Sequence, residues 1–176
     1  IARYRSMLRY SASLGTAAGA TWEEAVLHGL CELVEHDAVS HALLRWHFQG
    51  DHRVHAVDPS ALSEELRDQL RTAEAAVGGN VDVTSDLGVP AYVAVEDGVG
   101  IEYPRSGAGA AVDAGVAASR AIEELAQVAN GRTRPQIAAD NLSRWPVLAR
   151  CVRLHATAPR IHRRHVELRS TSTPDT

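Results

Sequence analysis

The chain has 176 residues, 45% hydrophobic and 23% charged, enough for one domain with its own core and too few for two. A formal net charge of -4 gives no electrostatic case for a nucleic-acid partner, and no apolar run is long enough to span a bilayer. Two cysteines, Cys31 and Cys151, form neither a disulfide framework nor a metal knuckle, so a reducing cytoplasm is the expected compartment, with no signal peptide at the start.

All 18 basic residues are Arg and none is Lys, so no lysine serves as nucleophile or phosphate ligand. Residue 1 is Ile, which points to a fragment or a processed product.

In chain order, residues 6–13 read as a short strand entering a Gly/Ala-rich turn. Thr21 and Glu24 form a capping box that opens a long helix to about Phe48, with Trp22 packing at its entry. Gly50, Asp51 and Pro59 punctuate a connector. Residues 60–77 place Leu62, Leu66, Leu70, Ala73 and Val77 on one helical side, and Gly78, Gly79 and Asn80 stop that helix. Strands follow at 81–84 and 91–95. Asp97-Gly98 signals a hairpin with its return strand at 99–103. SGAGAA (106–111) reads as a Gly-rich loop, and Asp113 caps a third helix ending near Asn130-Gly131. Residues 138–153 suggest a helix broken by Pro146, and the polar tail from residue 160 frays. The expected fold is α+β, a mixed sheet with hairpin strands layered with long helices. Residues 1–132 form the main unit and 133–176 a helical extension with a disordered polar tail.

On a wheel of about 100° per residue, Glu24, His28, Glu32 and Glu35 fall within roughly 80° of one another. Val26, Leu27, Leu30, Leu33 and Val34 lie opposite and read as the packing face. His36 sits at the edge of the acidic row. Like charges one turn apart cost roughly 0.2–0.5 kcal/mol per pair, and no Arg neutralises this row locally. Either water tolerates the repulsion, or the row holds a hard divalent cation such as Mg²⁺.

The third helix carries Arg120, Glu124 and Gln127 at i, i+4 and i+7, with Glu123 beside them. This stripe is either a surface Arg120–Glu124 salt bridge or a set of groups for phosphate, metal and base. The glycines at 107 and 109 either permit close packing or seat an anion ahead of the helix. His47, His52 and His55 cluster around a connector without a cysteine, a weak metal signal. Cys31 reads as core.

The stretch from Ser13 through Gly15, Gly19, Thr21, Glu23 and Glu24 to Ala25, then Glu32, Glu35, His36 and Asp37, resembles the YcaO family: S-x-G-x-A-x-G, a capped helix with E-E-A, then E-x-x-E-R-D. DLGVPAYVAVEDG resembles its strand before the hairpin, and SGAGAAVDAGVAASRAIEELAQ its G-x-G loop and A-x-x-E-x-x-Q helix. The resemblance covers residues 13–130. It implies an enzyme dependent on ATP and Mg²⁺ that phosphorylates a backbone amide oxygen of a ribosomally made precursor peptide, leading to azolines, thioamides or amidines. A partner protein of the leader-binding or TfuA-like kind and a homodimer are also implied, and so is a catalytically reduced module as the alternative.

Carried over residue by residue, Glu24, Glu32 and Glu35 match carboxylates for Mg²⁺ or ATP. Glu124 and Gln127 match the E-x-x-Q pair, and Arg120 a basic position for phosphate. Glu32, Glu35 and Glu124 are the implied metal ligands; no catalytic residue is assigned. His36 stands where the common family form has Arg, and Ala20 and Leu14 where Asn is frequent. The family's N-terminal segment, with further Mg²⁺ carboxylates, and its C-terminal segment are expected to be missing, leaving the fold incomplete with exposed strand edges.

Overall fold

The computed structural model describes residues 14–51, 53–57, 63–65, 68, 77–96, 105–130 and 166–169. They form helix α1 (Trp22–His47), strands β1 (Val54–Val57), β2 (Val77–Asp82), β3 (Ala91–Glu96) and β4 (Ser106–Ala110), helix α2 (Ala114–Asn130) and strand β5 (Val166–Arg169). The sheet runs β4-β3-β2-β1-β5. The first four strands pair antiparallel and β5 joins β1 in parallel, so the sheet is mixed and the fold α+β.

Side chains alternate across the sheet and divide the core into two layers. Val81, Val93 and Val95 pack with Ala38, Ala42 and Trp46 of α1. Tyr92 and Ala94 face the other way, against Ala117, Ala118, Ala121, Ile122 and Leu125 of α2. Desolvation of Tyr92 in that layer pushes its phenol up to about 12, with the charges of Asp82 and Asp113 adding to the effect. The helices thus lie on opposite faces, and β4 is an edge between them.

Both helix starts match the sequence signals. Thr21 Oγ1 accepts from Glu24 N at 3.2 Å, and the Glu24 carboxylate reaches back to Ala20 N at 2.7 Å. Asp113 Oδ1 accepts from Val116 N at 2.9 Å.

Several expectations are corrected. SGAGA is strand β4, not a loop. A Cβ at Gly107 would lie 2.2 Å from Leu125 N, and one at Gly109 2.4 Å from Ala117 O. The two glycines let the backbone of α2 lie directly on the strand, which is why a strand reads here as a turn composition. Gly78–Asn80 do not stop a helix; they belong to β2, where the register shifts between Val77 and Gly79 as it would at a bulge. Trp22 does not pack, being 79% exposed. Residues 166–169 are a strand rather than part of a frayed tail, because β1 offers them a pairing edge.

Of the helix expected at 60–77, Glu64, Glu65 and Asp68 are helical. The strand at 6–13, the hairpin turn and return strand at 97–103, and the helix at 138–153 lie outside the described residues, as do His52, Cys151 and the boundary at 132.

Candidate functional site at the edge of the sheet

Residues 14–20 fold back along the start of α1. Gly15 adopts φ +76°, a conformation that favours glycine, and a Cβ on Gly29 would lie 2.7 Å from Gly15 O. A Cβ on Gly19 would lie 2.5 Å from Ala25 N. The spacing of the glycines in SLGTAAGA is therefore set by the contact of this segment with the helix. It also brings Ala18 O within 3.2 Å of His28 Nδ1.

The packing face expected on α1 is inverted. Val26, Leu27, Leu30 and Leu33 are exposed, Leu30 by 54%, and of that set only Val34 packs against the core. The row of Glu24, His28, Glu32 and Glu35 continues into the buried line Ala38, Ala42 and Trp46, since all share one side of the wheel. From His28 to Glu35 the row thus faces inward, towards β4 and α2, while Glu24 stays at the exposed start of the helix. Cys31 is buried, as expected of a core position.

Among the described residues, what this row meets is the outer strand of the sheet, β4. Glu96 N donates to Arg105 O and Ala111 N to Pro90 O, so the odd-numbered residues of β4 turn their backbone groups towards β3. By alternation Ala108 and Ala110 turn theirs outward. Those outward groups are taken by side chains from the two helices. Glu124 Oε2 accepts from Ala108 N at 2.5 Å, and Glu35 accepts a backbone hydrogen bond from Ala110. Arg120 Nη1 donates to Ala110 O at 3.1 Å. Arg120 Nη2 lies 3.1 Å from His28 Nε2, joining α2 to α1 around the edge.

Glu35 is pushed up to about 7. Burial is the largest cause, followed by the charges of Glu124 and Glu32. The hydrogen bond from Ala110 and the charge of Arg120 oppose the shift. Of the three carboxylates singled out from sequence, Glu35 thus lies within electrostatic reach of both Glu32 and Glu124. Their oxygen donors suit a hard cation such as Mg²⁺. Among the described residues no three His, Cys, Asp or Glu side chains are gathered as a ready metal cage. A cation held here would draw the carboxylates together and keep part of its water.

The other expected residues are more peripheral. Glu24 is exposed and hydrogen-bonded to Ala20 N. His36 is exposed, one position round from Glu35, and is not among the groups that shift it. Gln127 is exposed one turn beyond Glu124. Glu123 accepts from Ser119 Oγ at 2.9 Å. The surface Arg120–Glu124 bridge does not form, because β4 offers each partner a backbone group. Beside the cluster lies an open pocket of about 190 Å³ whose lining includes Leu27, His28, Cys31, Asp113, Val116 and Arg120. Sequence reasoning put His28 in the acidic row without a role; its wheel position was the available signal.

Comparison with known proteins gives a consistent picture. The family profile described as "YcaO cyclodehydratase, ATP-ad Mg2+-binding" matches residues 2–175. A Rhizobium leguminosarum bv. trifolii protein, "Uncharacterized protein in tfuA 3'region", is 36% identical over 124 residues, covering 64% of this chain and 29% of its own. The heterocyclase TruD is 37% identical at a TM-score of 0.52, over 66% of this chain and 17% of its own. A heterocyclase in complex with substrate and cofactor is 35% identical at 0.55, over 68% and 16%. YcaO from Methanopyrus kandleri, bound with AMPPCP and Mg2+, is 31% identical at 0.53, over 65% and 30%. The chain spans less than a third of the length of these relatives.

Proposed function

The chain belongs to the YcaO family, and from that premise we propose that it supplies the carboxylate and arginine groups of a site that binds ATP with Mg²⁺ and activates a peptide backbone amide. The observation that carries this reading is Glu35 within electrostatic reach of Glu32, Glu124 and Arg120, the last two hydrogen-bonded to β4. A heterocyclase solved with substrate and cofactor and a YcaO solved with AMPPCP and Mg2+ support it.

In this reading Glu32, Glu35 and Glu124 hold Mg²⁺, with Glu24, His36 and Gln127 at the rim of the nucleotide site. Arg120 meets phosphate. Mg²⁺ held by these carboxylates would supply charge neutralisation for the phosphoryl group. The amide oxygen attacks the terminal phosphorus of ATP, and ADP leaves. A Cys, Ser or Thr side chain, or an external sulfide, adds to the activated carbon. The oxygen then departs as phosphate, leaving an azoline or a thioamide. Phosphorylation turns a poor leaving group into a good one, while partial burial strengthens the attraction of the Glu35 carboxylate for a cation.

We place this chemistry in the cytoplasm, where ATP and newly made peptide are both present. The partners are a ribosomal precursor peptide and a leader-binding or TfuA-like protein; the relative from a tfuA 3' region supports the latter. No helix among the described residues is long and apolar enough to cross a membrane.

The test has two steps. Calorimetry with Mg-AMPPCP should give saturable heat that Glu35→Gln abolishes. Incubation of the protein and candidate partners with Mg-ATP and a precursor peptide should release phosphate, with loss of one water or exchange of oxygen for sulfur in the peptide. Unchanged ATP and peptide, with no binding heat, would overturn the reading. A second reading, a module that binds peptide or a partner subunit or completes a shared site by homodimerisation, is favoured by the exposed ridge of Val26, Leu27, Leu30 and Leu33 on α1. Partner binding without Mg-AMPPCP heat would select it.

A further inference from the structure

Among the described residues, the Arg120 guanidinium is held by a backbone carbonyl and an imidazole. Nη1 donates to Ala110 O, and Nη2 lies 3.1 Å from His28 Nε2. Among the described residues no carboxylate pairs with it: Glu124, four residues along the same helix, turns to Ala108 N instead. An arginine held in this way keeps its charge available for an anion.

His28 is itself fixed from both sides. A carbonyl oxygen can only accept and a guanidinium can only donate, so the 3.2 Å contact of Ala18 O with Nδ1 and that of Arg120 with Nε2 together match the ring with its proton on Nδ1. Ala18 belongs to the segment clamped against α1 by Gly15, Gly19 and Gly29. The order is thus a rigid loop, an oriented imidazole and an aimed guanidinium, and it crosses from the α1 face of the sheet to the α2 face around β4.

We propose that His28 is a positioning residue, whose neutral ring, anchored on Ala18 O, aims Arg120 at an anionic ligand beside Glu35 and Glu124. The inference deepens the nucleotide reading and rests on it for the identity of the anion. Without the imidazole acceptor, the free half of Arg120 is one turn from the Glu124 carboxylate. An ion pair there would withdraw a cation from phosphate and a ligand from the metal in one movement.

The experiment uses the conservative geometry of two amides. Gln places its carbonyl near Nε2 and can still accept from Arg120; Asn reaches only the Nδ1 position. Calorimetry with Mg-AMPPCP is run on wild type, His28→Gln, His28→Asn, Arg120→Gln and the double variant His28→Asn/Arg120→Gln, with melting curves to show that each is folded. His28→Asn and Arg120→Gln should each lose about tenfold in affinity, the double variant no more than the weaker single one, and His28→Gln should recover most of the loss. Wild-type binding by folded His28→Asn, or a folded His28→Gln as weak as His28→Asn, overturns the proposal.

The NMR spectrum of the unsubstituted protein supplies an independent check. The His28 ring nitrogens should report the Nδ1–H tautomer, and the Arg120 side-chain N–H signals should exchange slowly. The Nε2–H tautomer overturns the proposal even if no variant folds. If wild type binds no Mg-AMPPCP, the nucleotide reading falls. The Arg120 signals then decide alone: sharp in wild type and His28→Gln but lost in His28→Asn supports positioning, and no difference among the three overturns it.

Discussion

The inward side of α1 changes character halfway along its length. From Ala38 onward it is apolar, and Ala38, Ala42 and Trp46 are buried against Val81, Val93 and Val95. Before Ala38 the same side presents His28, Glu32 and Glu35 to β4 and to α2. The C-terminal half carries packing energy; the N-terminal half carries charge in a place where charge is unfavourable. Its apolar residues, Leu30 and Leu33 among them, are turned outward. A helix whose polar side is the inner one at one end is built around something other than its own stability.

That contrast makes unequal predictions for the two halves. Trp46 is 4% exposed, and its Nε1–H donates to Arg53 O at 3.2 Å. Trp46→Ala removes a large buried ring and leaves that carbonyl without its donor, so about 3–5 kcal/mol of stability should be lost. Denaturant unfolding measures it. A loss below about 1 kcal/mol would mean that the C-terminal half of α1 is not anchored on the sheet.

Gly107→Ala comes next. The added methyl would meet backbone of α2 at 2.2 and 2.4 Å, atoms with no rotamer to yield, so α2 or β4 has to shift. About 3 kcal/mol of destabilisation is expected, together with weaker nucleotide binding, because Glu124 and Arg120 move with α2. Gly88→Ala is the control: open space surrounds it, and only its φ of +70° resists, so about 1 kcal/mol is lost with binding unaffected.

These two glycine sites also show where the sequence was readable. The caps at Thr21 and Asp113 and the strand at 91–95 follow from local rules, and the structure agrees with them. The glycines of β4 are misleading locally, since their cause is the backbone of the following helix folded back onto the strand. The outer and inner sides of α1 were exchanged because apolar residues normally mark the inside. The wheel was right about which residues share a side but carried no information about which side meets the sheet. His28 could be placed in the row, but its link to Arg120 could not, as 92 positions separate them in sequence.

The polar half should respond in the opposite sense. The Glu35 carboxyl rises from 4.5 to about 7 in the fold, so folding favours its protonated form. Its contribution is complete below about pH 4.5 and is lost as pH rises through about 7. Glu35→Gln removes that loss. At pH 8 the variant should be more stable than wild type by about 1–2 kcal/mol, a figure discounted for the solvent reaching this half-exposed group, and the difference should vanish near pH 4. Mg-nucleotide affinity should fall in the variant. In wild type it should weaken below pH 7, by up to about tenfold per unit, as protons compete with the cation. Equal stability of the two proteins at pH 8 would remove the desolvated-carboxylate account.

Glu24 stands at the far end of the same side and separates the two roles most finely. Its carboxylate closes the capping box on Ala20 N, which by itself explains a Glu three residues after Thr21. A Gln keeps an oxygen for that bond, so Glu24→Gln should change stability by no more than about 0.5 kcal/mol, mostly through the lost charge at the helix N-terminus. If the cap is its whole function, nucleotide affinity stays with stability, near the wild-type value. If the second oxygen and the charge serve the cation, affinity falls severalfold while the melting temperature barely moves. Calorimetry and melting of this one variant, compared with Thr21→Ala, which loses the cap hydroxyl and about 1 kcal/mol but keeps the carboxylate, assign Glu24 to the site or to the helix.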